Sequence, residues 1–417
     1  MTTLLAQFLD GKISATELSD RLRGLGFGKT TEESILDTVE PFHPEPYSDR
    51  TPYEQWMASE GVPIHTGYSV PSVRALEVKP WPRLGASGAI VDLTGAEGTD
   101  GAYICELQPG VTSKPQRYLF EESIFVVEGE GETTIWQEGG SKQTFRWRKG
   151  GMFSPPLNVW RRHSNRGSAP ARLISFHDLP VMMDLLHNSE FLFNNPFVFR
   201  DRYNNHPDYF TFTPSNIRAG GTAAMFDEGE RRKVMISDTG FVPDMNRVEL
   251  QEAKSRGLKN KGMEIVFSDN TMQTHLSEFA AGSYKRAHRH GPGSHVMILG
   301  GAGYSLLWTG DPQYSKSAKQ LRVDWTEGAL LVPPDRWFHQ HFNTGGDPAK
   351  YMATTWIGGK YFAKSMGGGG RTHRLNTIST HHGGNMIDYP DEDPVIRAMF
   401  EEDLKKHGVE IQMPSRS

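Results

Sequence analysis

The sequence predicts a protein that is mostly β-sheet and is built from two similar β domains. Short segments with alternating apolar residues, such as Tyr103, Cys105 and Leu107, recur between turns, which is typical of a sandwich or barrel. Glycine occurs 44 times and proline 26 times in 417 residues, well above the usual combined share of ~12%. Two stretches also repeat one pattern of glycines and prolines, which indicates an internal duplication.

The amino-terminal residues 1–65 are expected to form a helical arm. Ser14 followed by Glu17 is a capping box, and Leu18 and Leu22 fall on one face of the helix that follows. A second short helix is expected near residue 31. The arm is too small to have a core of its own, so we expect it to pack on the main body or on a second subunit.

Four further segments complete the predicted organisation. Residues 66–180 form the first β barrel, and residues 181–262 form a linker of helices and loops. Residues 263–360 form the second barrel. Residues 361–417 form a glycine-rich tail and a short C-terminal helix, for which Asp393 is the cap and a proline takes the first helical position.

Composition excludes several classes of partner and location. With 45 Lys and Arg against 50 Asp and Glu, the net charge is −5. A mildly acidic chain without a basic block argues against nucleic acid or an anionic membrane surface as the main partner. One cysteine forbids an intramolecular disulfide, no signal-peptide pattern is present, and no apolar run approaches the ~18 residues of a membrane span. We expect a cytoplasmic protein without a membrane partner.

The duplication is visible in two pairs of blocks that align without a gap. The first pair is Gly110-x5-Gln116-x-Tyr118-x3-Glu122-x6-Gly129 and Gly282-x5-His288-x-His290-x3-Ser294-x6-Gly301. The second pair is Gly150-x5-Pro156-x4-Arg161-x3-Asn165 and Gly328-x5-Pro334-x4-His339-x3-Asn343. Because the glycines, prolines and asparagines agree, we infer that the second half repeats the first.

These blocks resemble the two sequence motifs of the cupin superfamily, Gly-x5-His-x-His-x3or4-Glu-x6-Gly and Gly-x5-Pro-x-Gly-x2-His-x3-Asn. The match covers both halves, so the chain resembles a bicupin. The resemblance implies two jelly-roll barrels of antiparallel strands. Cupins carry out many reactions, so the function has to be argued from the site.

The second barrel is predicted to bind one divalent metal ion. His288 and His290 are two residues apart and leave the same face of a strand, and His339 comes from a distant strand. Three imidazoles make a facial ligand set with open positions, and the cupin motif assigns the same three residues as ligands. The glutamate of the motif is missing: the glycine register places Ser294 there, whereas the alternative spacing makes His295 a fourth ligand.

Three neutral ligands leave a divalent ion with its full charge, which attracts an anionic, bidentate substrate. Among cupins, such a set resembles ring-cleaving dioxygenases of the gentisate 1,2-dioxygenase type. That resemblance implies Fe(II), dioxygen and a hydroxylated aromatic acid. Imidazole ligation also suits other ions, so Mn, Ni or Zn stays open.

Further residues are expected to serve this pocket. His341 should share the face of His339 and is a candidate for proton transfer. Arg286 has the parity of His288 and is a candidate clamp for a substrate carboxylate. The remaining expected pocket residues are Trp308, Trp337 and Trp356, for which barrel core is the alternative, and Arg336, where the family usually has glycine.

The first barrel carries Gln116, Tyr118, Glu122 and Arg161 at the equivalent positions. This set holds a divalent metal poorly, because the arginine brings a positive charge to the place of the ion. We expect Glu122 and Arg161 to pair inside the barrel, with Gln116 and Tyr118 satisfying the remaining hydrogen bonds. This half would then serve as a scaffold and dimerisation surface.

Three functions follow from these features. The first is a mononuclear non-haem iron dioxygenase, an oxidoreductase acting on a hydroxylated aromatic acid or similar bidentate anion. The second keeps the metal and is a lyase, isomerase or decarboxylase of a small acid. The third is a non-catalytic ligand-binding or storage bicupin. We expect a small anionic substrate and a homo-oligomer, while the identity of the substrate is not given by the sequence.

Overall fold

The computed structural model describes residues 4, 7, 10–24, 49–96, 98–211, 217–223, 232–237, 240–252, 257, 259–268, 270–291, 294–356 and 378–414. The chain forms two compact units, Met1–Thr51 and Pro52–Ser417. In the first unit, helix α1 (Ala15–Gly24) begins after Ser14, whose Oγ accepts a hydrogen bond of 3.1 Å from the backbone N–H of Glu17. The second helix predicted near residue 31 lies outside the described residues, as do residues 357–377 around the glycine run.

The second unit is dominated by strands. Its first half contains β1 (Ile64–Gly67), β2 (Ser69–Val70), β3 (Lys79–Trp81), β4 (Ala86–Leu93), β5 (Gly101–Leu107), β6 (Glu122–Glu128), β7 (Glu130–Trp136), β8 (Gln143–Arg148), β9 (Met152–Phe153), β10 (Trp160–Asn165) and β11 (Ala171–His177). Its second half contains β16 (Lys261–Val266), β17 (Gln273–Phe279), β18 (His295–Gly300), β19 (Ala302–Trp308), β20 (Gln320–Thr326), β21 (Leu330–Leu331), β22 (Phe338–Asn343) and β23 (Ala349–Thr355).

Helices and short strands surround these two halves. The helices are α2 (Pro52–Ser59), α3 (Leu179–Leu186), α4 (Ser189–Asn194) and α5 (Pro394–His407), and the connecting strands are β12 (Ile217–Ala223), β13 (Arg232–Ser237), β14 (Phe241–Val242) and β15 (Gln251–Glu252). Segment 181–262, for which helices and loops are predicted, therefore also contains strands. β13 pairs with β16 and β14 pairs with β9 over longer sequence distances, which no local apolar pattern reveals.

Each half is a jelly-roll barrel made of a large and a small sheet. In the first barrel the large sheet has the order β1-β4-β5-β11-β6-β9-β14, with β3 beside β4, and the small sheet is β10-β7-β8. In the second barrel the orders are β12-β13-β16-β17-β23-β18-β21-β2, with β15 beside β16, and β20-β19-β22. The predicted all-β class with two jelly-roll barrels is confirmed. Among the described residues, no helix has the length and apolar character needed to cross a bilayer.

The two barrels are joined through a strand and a common core. β2 lies between β1 and β3 of the first barrel in the chain but pairs with β21 of the second barrel, where Ser69 lies opposite Leu331. Val91 and Ile104 of the first barrel belong to one buried apolar cluster with Leu276 and Met297 of the second. Burial of this cluster stabilises both barrels together, because removing one would expose the apolar surface of the other.

The repeated residues have the same structural task in both barrels. The Asn165 amide donates to the carbonyls of Leu107 and Ala169 at 2.8 Å, and the Asn343 amide donates to those of Phe279 and Asp347 at 3.3 and 2.9 Å. Each asparagine is the last residue of its strand, β10 or β22, and its amide closes the turn that follows that strand. The duplicated motif therefore marks backbone positions as well as functional ones.

The C-terminal helix α5 begins as predicted. The carboxylate of Asp393 accepts a hydrogen bond of 3.1 Å from the backbone N–H of Val395, and Pro394 occupies the first turn. Phe400 of this helix packs on Tyr284 and Phe342 of the second barrel, with ring centroids 5.0 and 5.7 Å away. The helix thereby covers the outer face of the sheet that carries His339.

Candidate metal centre

The two neighbouring histidines of the second barrel lie in the extended segment between β17 and β18. His288 forms an isolated bridge with His339 of β22, with backbone N–O distances of 3.1 and 2.8 Å. On its other side, His288 forms a second bridge with Met386. The predicted strand is therefore an extended segment without a continuous ladder, and it is held between β22 and the C-terminal part of the chain.

Three imidazoles meet inside the second barrel. One nitrogen from each of His288, His290 and His339 lies within 4.8 Å of the others. The three ring centroids are 4.3, 4.7 and 5.7 Å apart. In the part of the chain that the structure describes, no other group of His, Cys, Asp and Glu side chains has this spacing.

Backbone carbonyls determine which nitrogen of each ring faces the centre. The Nδ1 atoms of His288, His290 and His339 lie 3.2, 3.0 and 3.3 Å from the carbonyl oxygens of Arg286, Gly291 and Trp337, respectively. A carbonyl oxygen only accepts hydrogen bonds, so each Nδ1 carries the hydrogen and each Nε2 keeps its lone pair. This donor set fits a divalent cation held by three Nε2 atoms.

The fourth position of the motif belongs to Ser294 in the structure. Ser294 lines the cavity beside the three histidines. His295 is fully buried elsewhere, with its ring 5.4 Å from Phe176 and its Nδ1 4.0 Å from a carboxylate oxygen of Asp100. The glycine register was therefore the correct choice, and the structure does not bring His295 to the other three histidines. Burial lowers the pKa of His295 to about 3, so this imidazole is neutral near pH 7.

The histidines open on a small cavity of about 70 Å³. Its walls come mainly from facing positions of β17 and β23, where Gln273 pairs with Thr355 and His275 pairs with Ala353. The residues that line it are Gln273, His275, His290, Ser294, Val296, His339, His341, Tyr351, Ala353 and Thr355. None of them is acidic, so the cavity offers no negative charge of its own to an entering anion.

His341 faces this cavity and is held by a buried relay. Its Nδ1 lies 2.7 Å from the Oγ of Ser305, and the indole N–H of Trp325 donates to the same oxygen at 3.0 Å. Because the indole N–H of Trp325 only donates, Nδ1 of His341 is the acceptor available to the hydroxyl hydrogen of Ser305, and we assign the hydrogen of this bond to Ser305. His341 then carries its hydrogen on Nε2, which is the opposite tautomer to that of the three converging histidines.

The three tryptophans predicted as pocket walls lie elsewhere. Trp308 is fully buried and stacks on Phe338 at 5.6 Å on the face of the sheet that α5 covers. It lies there because side chains alternate along β19, and its neighbour Leu307 is the residue opposite His339. Trp337 packs against Tyr68 at 5.8 Å, and Trp356 joins the apolar cluster that the two barrels share.

The two arginines predicted to meet the substrate also point elsewhere. Arg286 lies 3.7 Å from the carboxylate of Asp388, and its guanidinium is 5.4 Å from the Tyr389 ring. The side chain of Arg286 therefore contacts the C-terminal segment and not the cavity, to which the alternation of side chains along a strand had assigned it. Arg336 is exposed and has a φ of +58°, which explains why glycine is usual there. Its backbone N–H donates to the carbonyl of His290 at 3.0 Å, which helps to fix that histidine.

The first barrel contains a buried ion pair where the second has its histidines. A guanidinium nitrogen of Arg161 lies 2.9 Å from a carboxylate oxygen of Glu122, and both side chains are almost completely buried. Burial raises the pKa of Glu122 and lowers the pKa of Arg161, because each charge is removed from water. The predicted pairing is thus present, and only about 20 Å³ of cavity remains beside it.

The hydrogen bonds around this pair differ from the predicted ones. The remaining carboxylate oxygen of Glu122 accepts from Tyr103 at 2.9 Å and from Ser175 at 2.5 Å. Tyr118 instead lies under the guanidinium, 3.4 Å from the ring centroid to the Arg161 Cζ. The Gln116 amide donates to the carbonyl of Arg83 at 2.8 Å. Neighbouring strands supply these partners, which is why spacing within the motif did not reveal them.

Several cavity residues were missed by the sequence analysis. Gln273, His275 and Ser277 occupy alternate positions of β17, and Gln273 and His275 line the cavity. Polar residues at every second position of a strand are unusual on the inner face of a barrel, and this pattern is the signal that was available. Tyr351 of β23 also lines the cavity, but a single tyrosine in a strand carries no such signal.

Comparison with known proteins finds similarity of architecture. No family model and no curated protein matches the chain. The oxalate decarboxylase of Lactobacillus farciminis, solved as a formate complex, has a TM-score of 0.43 and 12% identity over 68% of this chain and 85% of that chain. A mutant of the Bacillus subtilis oxalate decarboxylase has a TM-score of 0.44 and 14% identity over 68% and 76% of the two chains. At these values the similarity carries no argument about the reaction.

A third structure in that comparison is the Bacillus subtilis enzyme described for its Mn(II) centres, with 15% identity and a TM-score of 0.43 over 68% of this chain and 76% of that chain. The described sheets of the present chain have the bicupin arrangement, and its three imidazoles form a site for a divalent metal. Neither observation selects Fe(II).

The predicted oxidoreductase of the dioxygenase class is wrong. The solved structures found by the comparison are oxalate decarboxylases, so the comparison offers no support for a dioxygenase. The cavity provides an independent physical reason, because its volume of about 70 Å³ is roughly half of the ~150 Å³ that holds one benzene ring. A hydroxylated aromatic acid and dioxygen do not fit there together.

Proposed function

We propose that this protein is a metal-dependent lyase that removes CO2 from a small carboxylic acid. The observation that carries this proposal is the convergence of three imidazoles beside a cavity of about 70 Å³, which His290 and His339 line. Pockets for drug-sized ligands have volumes of about 300–1,000 Å³, so the cavity selects a substrate with few non-hydrogen atoms. Three neutral ligands and walls without acidic side chains favour an anion.

A divalent cation bound by His288, His290 and His339 would supply a Lewis acid for the carboxylate group. The chain itself supplies orientation, since each imidazole is fixed by its backbone carbonyl. The small volume of the cavity limits the water around a bound carboxylate, and weaker solvation favours conversion of that carboxylate to neutral CO2.

His341 is the proposed proton donor of this reaction. When the C–C bond to the leaving carboxylate breaks, its electron pair stays on the remaining carbon, and that carbon takes the hydrogen from Nε2 of His341. Solvent returns a proton to the imidazole. The sum is loss of CO2 and gain of one proton, and it needs no oxidant. The relay through Ser305 supports this assignment because it keeps the hydrogen on Nε2.

The test begins with the metal content of the purified protein and continues with a panel of small mono-, di- and oxo-carboxylic acids. We expect CO2 release from at least one acid, loss of that release on chelation and recovery on adding Mn(II). Oxygen uptake should stay below one molecule per molecule of acid. His288→Ala should abolish the release, whereas Gln116→Ala, at the matching backbone position of the first barrel, should retain it.

Two results would overturn this proposal. One is a metal-loaded protein that releases CO2 from none of the acids. The other is consumption of oxygen in a one-to-one ratio with the acid, which indicates oxidation.

A further inference from the structure

A buried lysine lies behind the wall of the cavity. Lys285 is 2% exposed, and its Nζ donates to Ser277 Oγ at 2.5 Å and to Tyr351 Oη at 2.6 Å. The Nζ also lies 4.6 Å from the centroid of the Tyr351 ring. Three separate segments of the barrel, namely β17, β23 and the segment that carries His288, thus converge on one ammonium group.

This contact determines how the Tyr351 hydroxyl is used. An ammonium group donates hydrogen bonds and accepts none, so the phenol oxygen is the acceptor toward Lys285. The hydrogen of the phenol then points away from Nζ. The Tyr351 ring borders the cavity and lies 5.1 Å from His341 and 6.5 Å from His275. The Tyr351 hydroxyl is therefore a donor toward a group other than Lys285, on a residue that lines the cavity.

The first barrel shows that the fold does not need this group. Ser113 takes the place of Lys285, since the backbone N–H of each donates to the carbonyl of the equivalent histidine, at 2.8 and 3.0 Å. The facing pair of Cys105 and Leu173 takes the place of Ser277 and Tyr351. The barrel without converging histidines therefore has neither the ammonium nor the phenol.

We propose that Tyr351 is a catalytic residue that donates a hydrogen bond to the carboxylate of the bound acid, and that Lys285 is its positioning residue. This inference rests on the proposed function and deepens it, because it assigns a contact for the anionic group of the substrate. The positive charge of Lys285 adds to the preference for an anion, since little water screens it.

The test measures binding rather than turnover, with acetate as the probe and acetamide as its neutral counterpart. Calorimetric titration of the Mn(II)-loaded protein should show that Tyr351→Phe weakens acetate binding by about tenfold, the effect of losing one hydrogen bond to a charged acceptor. Metal content and acetamide binding should stay as in the natural protein. Lys285→Met should weaken acetate binding in the same way.

A matched control is Ser113→Ala in the first barrel, which should leave acetate binding unchanged. Equal acetate affinity in the natural protein and in Tyr351→Phe would overturn the inference. Circular dichroism of this variant verifies its fold, because Lys285 loses one of its two acceptors there. If Tyr351→Phe loses acetate affinity but no acid is decarboxylated, the inference stands and the proposed reaction fails.

Discussion

The two barrels use one backbone arrangement for two different interiors. In the first, Gln116 and Arg161 exchange backbone hydrogen bonds of 2.8 and 2.9 Å, and in the second His288 and His339 do the same at 3.1 and 2.8 Å. In the first barrel Arg161 of this bridge forms an ion pair with Glu122, and in the second both bridge residues belong to the cluster of imidazoles. The frame and the chemistry of the interior are therefore set by separate residues.

The ion pair replaces volume as well as charge. The guanidinium of Arg161 and the ring of Tyr118 fill the first barrel, which keeps a cavity of about 20 Å³ against about 70 Å³ in the second. A positive side chain thus stands where a cation would otherwise balance Glu122. A barrel that keeps the buried acidic residue, here Glu122, without the converging histidines therefore needs a buried positive charge to balance it.

One device is common to both interiors. Trp147 donates to Thr133, which contacts Nδ1 of His163 at 2.8 Å, just as Trp325 and Ser305 hold His341. In the first barrel, burial and the charge of Arg161 lower the pKa of His163 to about 3, so it stays neutral. The relay alone is thus part of the frame, and only its position beside the histidine cluster gives His341 a chemical task.

The most severe test of the comparison breaks the ion pair. Glu122→Ala leaves the Arg161 charge buried without its partner, and we expect a loss of about 3–5 kcal/mol in the free energy of unfolding. Denaturant titration followed by circular dichroism measures it. Ser294→Ala, the matching position of the second barrel, should cost less than about 1 kcal/mol. Equal losses for both variants would show that the pair is not what holds the first barrel together.

A second test compares the two relays. His341→Asn should lower the rate of CO2 release by about 100-fold or more, the usual contribution of a positioned acid, while His163→Asn should leave that rate within about twofold. Both variants should retain the metal. A similar loss of rate in both variants would mean that the relay acts through the fold, and His341 would lose its proposed role.

The smallest expected effect concerns the boundary between the barrels. Burial raises the pKa of Asp100 to about 8, and it lies beside His295, with His177 also buried nearby. The folded protein therefore keeps a proton on Asp100 that the unfolded chain releases near pH 4. Stability should fall as the pH rises from 6.5 to 8, by up to about 1.4 kcal/mol per pH unit.

Asp100→Asn should reduce this slope, to which Glu122 also contributes because burial raises its pKa to about 7, and the thermal unfolding midpoint measured from pH 6.5 to 8 checks it. This window is chosen because His177 and His295, with pKa values lowered by burial to about 3, are uncharged there in the folded state. A natural protein whose midpoint does not change across this range would contradict the assignment of the proton to Asp100.

Much of the frame was accessible from the sequence because it depends on local rules. Alternation predicted the strands, the aligned glycines and asparagines predicted the duplication, and Asp393 predicted the start of α5. The converging histidines were found from the two-residue spacing of His288 and His290 and from the motif that includes His339. The backbone bridge between His288 and His339 is what brings them together. These features need little knowledge of which distant segment packs where.

The remainder depends on contacts between distant segments. Arg286 is drawn to Asp388, about a hundred residues later, and Trp308 is turned toward α5 rather than toward the cavity. The hydroxyl of Tyr351 is held by Lys285, a residue far away in the sequence that the fold brings within hydrogen-bond distance. No pattern within one strand shows which distant segments come into contact. The sequence therefore predicted the three converging histidines but not most of the residues that line the cavity beside them.

The strand β2 explains why the half without converging histidines is indispensable. Its two residues, Ser69 and Val70, lie between β1 and β3 of that half in the chain, yet they close the sheet edge at Leu330 and Leu331 of the other half. A fragment restricted to the second half would leave this edge with unpaired backbone groups, open to association with other chains. The half with the converging histidines therefore depends on the other half to complete its sheet.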